Sequence, residues 1–379
     1  MQFPLETEAL VVETPGEEFK LTPIIIEELR PDEVLVEMSY SGICHTDFLL
    51  QKGLLGGLIE YPAIAGHEGA GYIRALGAEV QDKSLNVGDP VLLSFTCCGT
   101  CEPCKENRRS RCDVFPFINL TARRWPDKSS ATKLADGRAV GSHYFGQSSF
   151  ARVSAVQERC VVKCAYPDDM AIYAPMGCGY QTGAGTVLNI LKPRPYQTVA
   201  IFGVGSVGFA ALMAAAALPV KSIIAIDVVE RKLSLAKDLG ATHTINPSDA
   251  ETQLSVVERI KEATGGRGAD FAIDTTGIPS VMEQMLDCLA PGGTAASVGV
   301  PPPVDISVNV GAFFLGTKNW VTVTEGDSYA PDFIPQLIDL HRQGKFPVER
   351  ICKVYPVAEM EQAISEMESG VVIKPIIQF

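Results

Sequence analysis

Residues 97–112 read CCGTCEPCKENRRSRC, and four of the five cysteines fall at spacings that metals use. Two residues separate Cys98 from Cys101 and Cys101 from Cys104, and Cys112 follows after seven more. Four thiolates so grouped match a closed tetrahedral zinc site, which leaves no coordination position for chemistry and contributes to folding. An iron–sulfur cluster also takes four cysteines, but its familiar run ends in Cys-Pro, whereas Asp113 follows Cys112. A zinc ribbon for nucleic acid would use the adjacent KENRRSR, which a solvated face explains as well. Cys97 is left as a free thiol.

A second set is scattered. Cys44 lies in SGICHTDFLL, His67 and Glu68 in AGHEGAG, and Cys178 in MGCGYQTGAG. Taken singly, a buried cysteine is a small hydrophobe and a histidine a hydrogen-bonded core residue. Taken together, two thiolates and one imidazole make three protein ligands, with a fourth position open to water or substrate.

The third constellation is GVGSVG, where Gly203, Gly205 and Gly208 fit G-x-G-x-x-G. It follows the apolar run TVAIF and precedes a helix-forming stretch, so backbone amides at a helix N-terminus can face a pyrophosphate. The next apolar run, SIIAID, ends in Asp227, near the distance at which a dinucleotide fold places its ribose acceptor. That carboxylate would repel a 2'-phosphate, and Val228 and Val229 offer no cation to offset it. NAD is favoured over NADP, although Arg231 weighs the other way.

These residues need elements to hold them. The 379 residues, 46% of them hydrophobic, suffice for two domains with separate cores. Up to about residue 180, short β-type runs such as EVLVEMSY, AGYIRAL and PVLLSF alternate with Gly, Pro and Asp, which predicts an irregular, largely β domain. Beyond it, TVAIFG, SIIAID, DFAIDTT and GGTAASVGV alternate with helical stretches, the pattern of a parallel sheet covered on both faces. From about Thr324 come two helical segments and a last strand, VVIKPIIQF. The uncharged run 199–220 reads as strand, turn and buried helix rather than a membrane span. A net charge of −13 argues against nucleic-acid and anionic-membrane partners and for a small molecule. The acidic N-terminal stretch is no secretory signal, and eleven cysteines without one speak for metal ligation and free thiols in a cytoplasmic protein.

Through GICHTD, GHEGAG, the four-cysteine lobe, GCGYQTG and GVGSVG, in that order, the chain resembles the zinc-dependent medium-chain alcohol dehydrogenases from end to end. TEGDS and DVVERK resemble most closely the aryl- and benzyl-alcohol branch. The resemblance implies an α/β chain: a GroES-like catalytic β domain over residues 1–180, a doubly wound Rossmann domain over 181–323, and a return to the catalytic domain over 324–379. It implies two zinc ions and NAD, a homo-dimer or homo-tetramer, and an alcohol or aldehyde substrate.

Site roles follow from the same resemblance. Cys44, His67 and Cys178 would hold the catalytic zinc, with Glu68 close behind it and Asp47 orienting His67. Thr46 would take the alcohol's proton and pass it to a ribose hydroxyl. His45 and Lys374 would approach the cofactor pyrophosphate, Val207 and Thr182 would flank the nicotinamide, and Lys232 and Val300 would complete the cofactor-facing set. Better-known members carry a histidine five residues beyond the first zinc cysteine; this chain has Leu49, as the aryl-alcohol branch has an apolar residue there. Ser94 stands where enzymes for small alcohols often have an aromatic residue, which implies a wider pocket for a bulky aromatic or allylic alcohol. An inactive zinc- and NAD-binding sensor, or an interaction protein on the same scaffold, is the alternative, but neither has a use for an open metal position beside Thr46.

Overall fold

The computed structural model describes residues 2–249 and 252–379. They divide into two compact units, one of residues 1–178, 329–338 and 352–379, the other of residues 179–328 and 339–351. Along the chain the strands are β1 (Leu5–Val12), β2 (Lys20–Ile26), β3 (Glu33–Gly42), β4 (Ala63–Ile64), β5 (Gly69–Leu76) and β6 (Pro90–Leu93). There follow β7 (Thr132–Leu134), β8 (Ala139–Val140), β9 (Val153–Gln157), β10 (Val161–Lys163), β11 (Thr198–Phe202) and β12 (Ser222–Ile226). The last six are β13 (His243–Ile245), β14 (Ala269–Asp274), β15 (Leu289–Ser297), β16 (Asn319–Thr322), β17 (Cys352–Pro356) and β18 (Lys374–Gln378).

The first unit holds two sheets, ordered β4-β1-β2-β7-β8 and β10-β6-β5-β3-β18-β17, with β9 paired to β3. Its strands bury alternate side chains where one face meets water, as at Ile24 and Ile26 of β2 with Ile25 between them less buried. The chain's last strand runs antiparallel to β3, with Ile376 opposite Gly42 and Ile377 opposite Ser41. That pairing brings residue 374 next to the segment that follows β3. A core of Phe48, Leu50, Phe95, Tyr144, Phe145, Phe150 and Ile377, among others, lies beneath.

The second unit is a single parallel sheet ordered β13-β12-β11-β14-β15-β16. This is the doubly wound order, with a switch point between β11 and β14 where such sheets bind ligands. All five residues of β11 and all five of β12 are buried, as strands covered on both faces require. The uncharged run is therefore β11, a glycine turn and a buried helix over Ser206–Ala216. Among the described residues no helix is long and apolar enough to cross a membrane.

Candidate active site

Cys44 caps the N-terminus of a short helix, α1 (His45–Gln51). Its backbone amide donates to Asp47 Oδ2 at 2.9 Å, satisfying one of the donors a helix start leaves unpaired. The other oxygen of Asp47 accepts from the Gly66 amide at 2.9 Å and lies 2.9 Å from His67 Nδ1. One fully buried carboxylate thus ties the Cys44 turn to the His67 turn. Gly66 itself has φ +85°, and a Cβ there would stand 2.4 Å from the Phe150 amide, so only glycine lets this turn close. The imidazole is clamped by Phe145, stacked at 4.5 Å, and by Tyr144, edge-on at 5.6 Å.

A ring nitrogen of His67 and the Sγ atoms of Cys44 and Cys178 lie within 4.8 Å of one another. With Nδ1 facing Asp47, the nitrogen left is Nε2, which is buried and has no hydrogen-bond partner among the described residues. A buried donor or acceptor in that state costs stability unless something binds it. Two sulfurs and one borderline nitrogen form the donor set of an open zinc site, so these residues fit the ion. The hydrogen bond from Cys178, opposed by burial and helped by His67, holds the Cys44 thiol well below its ordinary range. Burial disfavours the charged His67, but Asp47 and Cys44 outweigh it and hold the imidazole well above its usual value.

Glu68 and Lys374, 306 residues apart, form a buried pair behind this cluster, with Lys374 Nζ 3.0 Å and 2.9 Å from the two carboxylate oxygens. The third ammonium proton goes to the Ile43 carbonyl at 2.9 Å. Burial pushes the Glu68 carboxyl up against the pull of Lys374, whereas at Lys374 burial is outweighed by Glu68 and Cys44. Contact with both oxygens is the geometry of a charged pair rather than of a neutral acid. Lys374 is 1% exposed and all three of its donors are engaged, so its surroundings here are Glu68 and the Ile43 carbonyl just after β3, with no proton left over for a phosphate. Lys374→Met is expected to destabilise the fold by roughly 3–5 kcal/mol, because it strands a buried carboxylate. Urea unfolding checks this; a variant as stable as the parent but weakened in dinucleotide binding would put the ammonium on the cofactor instead.

Thr46 is partly buried, and its Oγ1 lies 3.7 Å from Cys44 Sγ. The Tyr144 hydroxyl donates to its carbonyl at 3.0 Å, which fixes the first turn of α1. His45 is exposed, with the Phe48 ring edge-on at 6.3 Å, and Leu49 is partly buried.

In the lobe, Cys98, Cys101, Cys104 and Cys112 place their Sγ atoms within 4.8 Å of one another, and none is in a disulfide. The pairs Cys98–Cys104 and Cys101–Cys112 are 3.9 Å and 4.0 Å apart. A tetrahedron with zinc–sulfur bonds of about 2.3 Å has edges of ~3.8 Å. Burial works against the Cys98 thiolate, but the amides of Thr100 and Cys101 outweigh it and bring this thiol down to about 6. Amides aimed at sulfur belong to a site built for thiolates, and these residues fit a closed metal centre.

In the second unit, Gly203 has φ +82°, and a Cβ on Gly208 would stand 2.0 Å from the Gly203 carbonyl oxygen. Those two glycines serve the turn and the packing of the helix on the strand. Gly205 is different, because a Cβ there would meet nothing within 4 Å. Its missing side chain leaves free space at a helix N-terminus, beside a buried Ser206 hydroxyl that has no hydrogen-bond partner among the described residues. Asp227 borders this loop, accepting from the Val204 and Val229 amides at 2.9 Å each. Lys232 Nζ is 3.7 Å from the same carboxylate. Such a cradle fits a dinucleotide. Thr182 is buried with its hydroxyl 3.4 Å from Glu325, Val207 is partly buried on the helix, and Val300 is exposed.

Sequence reasoning missed Tyr144, Phe145, Gln147 and the Asp47 contact to Gly66. The signal was faint: HYFGQSSF at 143–150 is polar and aromatic yet wholly buried, which only its surroundings reveal.

Two family models match the chain: one described as an alcohol dehydrogenase GroES-like domain over residues 30–168, the other as a zinc-binding dehydrogenase over residues 206–342. A geraniol dehydrogenase of Castellaniella defragrans is 37% identical over 377 residues, covering 99% of this chain and 98% of that protein. Among solved structures, an alcohol dehydrogenase zinc-binding domain protein from Burkholderia ambifaria superposes with a TM-score of 0.93 at 38% identity, covering 99% of each chain. The benzyl alcohol dehydrogenase of Acinetobacter calcoaceticus gives a TM-score of 0.91 at 36% identity, again over 99% of each.

Proposed function

We propose, because this chain belongs to the zinc-dependent medium-chain alcohol dehydrogenase family, that it interconverts a primary aromatic or bulky allylic alcohol and its aldehyde with NAD(H). The observation that carries the site assignment is the buried, partnerless Nε2 of His67 beside two thiols. In this reading residues 1–180 and most of 324–379 supply the catalytic part and 181–323 the cofactor part, with 324–328 and 339–351 belonging to the second unit rather than to the expected return. The substrate class rests on the relatives, a geraniol dehydrogenase, geraniol being an allylic alcohol, and a benzyl alcohol dehydrogenase.

Cys44, His67 and Cys178 would hold one zinc, and Cys98, Cys101, Cys104 and Cys112 a second. When bound, the first zinc supplies a Lewis acid that lowers the alcohol's pKa, and the nicotinamide supplies the hydride acceptor. The chain's own groups do the rest. Asp47 fixes the ring of His67 so that Nε2 faces inward, and two thiolates temper the charge of the site. Thr46 Oγ1 accepts the substrate's hydroxyl proton and hands on its own toward solvent, since Leu49 can hold none. Glu68 keeps its charge behind the cluster because Lys374 compensates it. In the second unit the glycine loop, Ser206 and Asp227 receive the dinucleotide, and Thr182, Val207 and Val300 border it.

Metal analysis with an absorbance assay for NADH, run over a panel of aryl, allylic and short aliphatic alcohols, tests this. Two zincs per chain and turnover favouring the aryl and allylic members are expected. A metal-replete protein that reduces no NAD with any of them would be the inactive sensor.

Cofactor choice gives a sharper expectation. Asp227→Ser removes a ribose acceptor and a repulsive charge, and leaves the Lys232 ammonium, now 3.7 Å from that carboxylate, without its counter-ion. KM for NAD is expected to rise and the ratio of kcat/KM for NADP over NAD to increase by on the order of 10²-fold, taking about 2–3 kcal/mol for the lost hydrogen bonds to a charged group and the relieved repulsion. A parent that already prefers NADP overturns it.

The homo-dimer or homo-tetramer reading draws support from one face of the second unit. β16 is an edge strand, and Val310, Phe314 and Leu315 on the helix before it are 74%, 78% and 84% exposed. Sedimentation equilibrium at the monomer mass of 40.7 kDa would refute it.

A further inference from the structure

We infer that Gln147 and Ser94 form an internal strut that sets the distance between the backbones carrying His67 and Cys178, and that both are positioning residues for the three-ligand metal site. The inference rests on the zinc reading of that site and extends it to residues outside the ligand set.

Gln147 is fully buried and its amide is almost fully used. Nε2 donates to the His67 carbonyl at 2.9 Å and to the Ser94 carbonyl at 2.8 Å, while Oε1 accepts from the Gly69 amide at 3.1 Å. One side chain therefore grips both sides of the His67–Glu68 step and ties it to the end of β6. Ser94, also fully buried, continues the connection: its Oγ donates at 2.7 Å to the carbonyl of Gly177, the residue before Cys178. The Ser94 amide is anchored in turn on the Cys160 carbonyl at 2.8 Å. An unbroken series of hydrogen bonds thus runs from the backbone of one ligand to the backbone of another.

The glycines along this path show how tightly it is drawn. A Cβ on Gly177 would stand 1.9 Å from the Leu93 carbonyl oxygen, and one on Gly69 would stand 2.7 Å from Ser149 Cβ and 3.0 Å from Gln147 Oε1. Side chains at either point would force the ligand-bearing segments apart. Asp47 performs the same service between Cys44 and His67. Each ligand backbone is then linked to a neighbour by a buried polar group, and a metal site so held needs little rearrangement to bind. Such outer partners are typically worth roughly 10–100-fold in metal affinity or activity. Ser94, which the family resemblance read as a small residue that widens a pocket, has through its hydroxyl this bonding role as well.

The test uses full-length Ser94→Ala and Gln147→Met, each loaded with zinc and, separately, with cobalt(II) at the three-ligand site. Release of each zinc to a chelator is followed against the lobe zinc as an internal reference. Both variants are expected to release the three-ligand metal at least ~10-fold faster with lobe release unchanged, and to shift the ligand-field bands of the cobalt form. If both release that metal at the parental rate with a parental cobalt spectrum, the strut is overturned. If both metals loosen together, the residues serve general stability and the strut is again overturned. A parent that retains only the lobe metal would instead bring down the zinc reading, and the strut with it.

Discussion

Cys178→Ser is expected to yield a folded chain that keeps its lobe metal and turns over alcohol on the order of 10³-fold more slowly, a larger loss than the roughly 10–100-fold attached to outer partners. The substitution replaces a thiolate by a neutral hydroxyl, so one of the two negative charges that face the metal disappears. Serine is smaller and fits the same buried position, so the fold has little reason to suffer. Cys104→Ser makes the contrasting case. Its sulfur belongs to a closed set whose metal contributes folding energy outright, about 10–16 kcal/mol in isolated zinc-finger peptides and less where a domain has its own core. Lowered thermal stability or loss of assembly is expected there before any effect on the chemistry. The measurements are zinc per chain, the melting temperature and kcat for both variants. A Cys178→Ser enzyme with near-parental turnover, beside a Cys104→Ser enzyme of parental stability, would mean that the two clusters have been assigned the wrong way round or hold no metal.

The fold was legible because its signals are local. VAIF and IIAI are uninterrupted apolar runs rich in β-branched residues and bounded by turn signals, which fits a strand buried on both faces. The glycines of GVGSVG read correctly as turn and helix start because a left-handed φ at residue 203 is a property of the residue itself. The lobe cysteines were legible for the same reason, being packed into fifteen residues, 98–112. Legibility fell where a role depends on what lies opposite. Lys374 sits 306 residues from Glu68, and the antiparallel pairing of β18 with β3 that joins them leaves no mark in either segment. Resemblance alone read that ammonium as a phosphate ligand; its three donors are engaged inside the first unit. Gln147 illustrates the same limit. A glutamine in a polar stretch reads as surface, and only the converging carbonyls of His67 and Ser94 make it interior.

Thr46→Val is expected to slow oxidation by roughly 10²-fold or more, the usual worth of a positioned group that takes a proton in the transition state. Valine keeps the branched shape of threonine, and the backbone of that turn stays pinned by the Tyr144 hydroxyl on the Thr46 carbonyl, so the loss would be chemical rather than structural. The next group along is the point of interest. Leu49 stands in the same helix, three positions on, and can neither accept nor release a proton. On the proposed reading, proton removal in the parent ends at the ribose hydroxyl and solvent rather than at an imidazole, and its kcat/KM for oxidation should rise with pH without a separate step near the unperturbed histidine value of about 6.5. Leu49→His supplies the missing base. Where proton removal limits the rate, it should introduce such a step and accelerate oxidation most below neutral pH, where hydroxide is scarce. Combining it with Thr46→Val should erase the gain, because the imidazole would then have no hydroxyl to draw on. The pH profiles of kcat/KM for the parent, the two single variants and the double variant decide the matter. Near-parental rates in Thr46→Val would mean that the proton leaves by another route, and a gain from Leu49→His that survives the loss of Thr46 would make the imidazole act on the substrate directly.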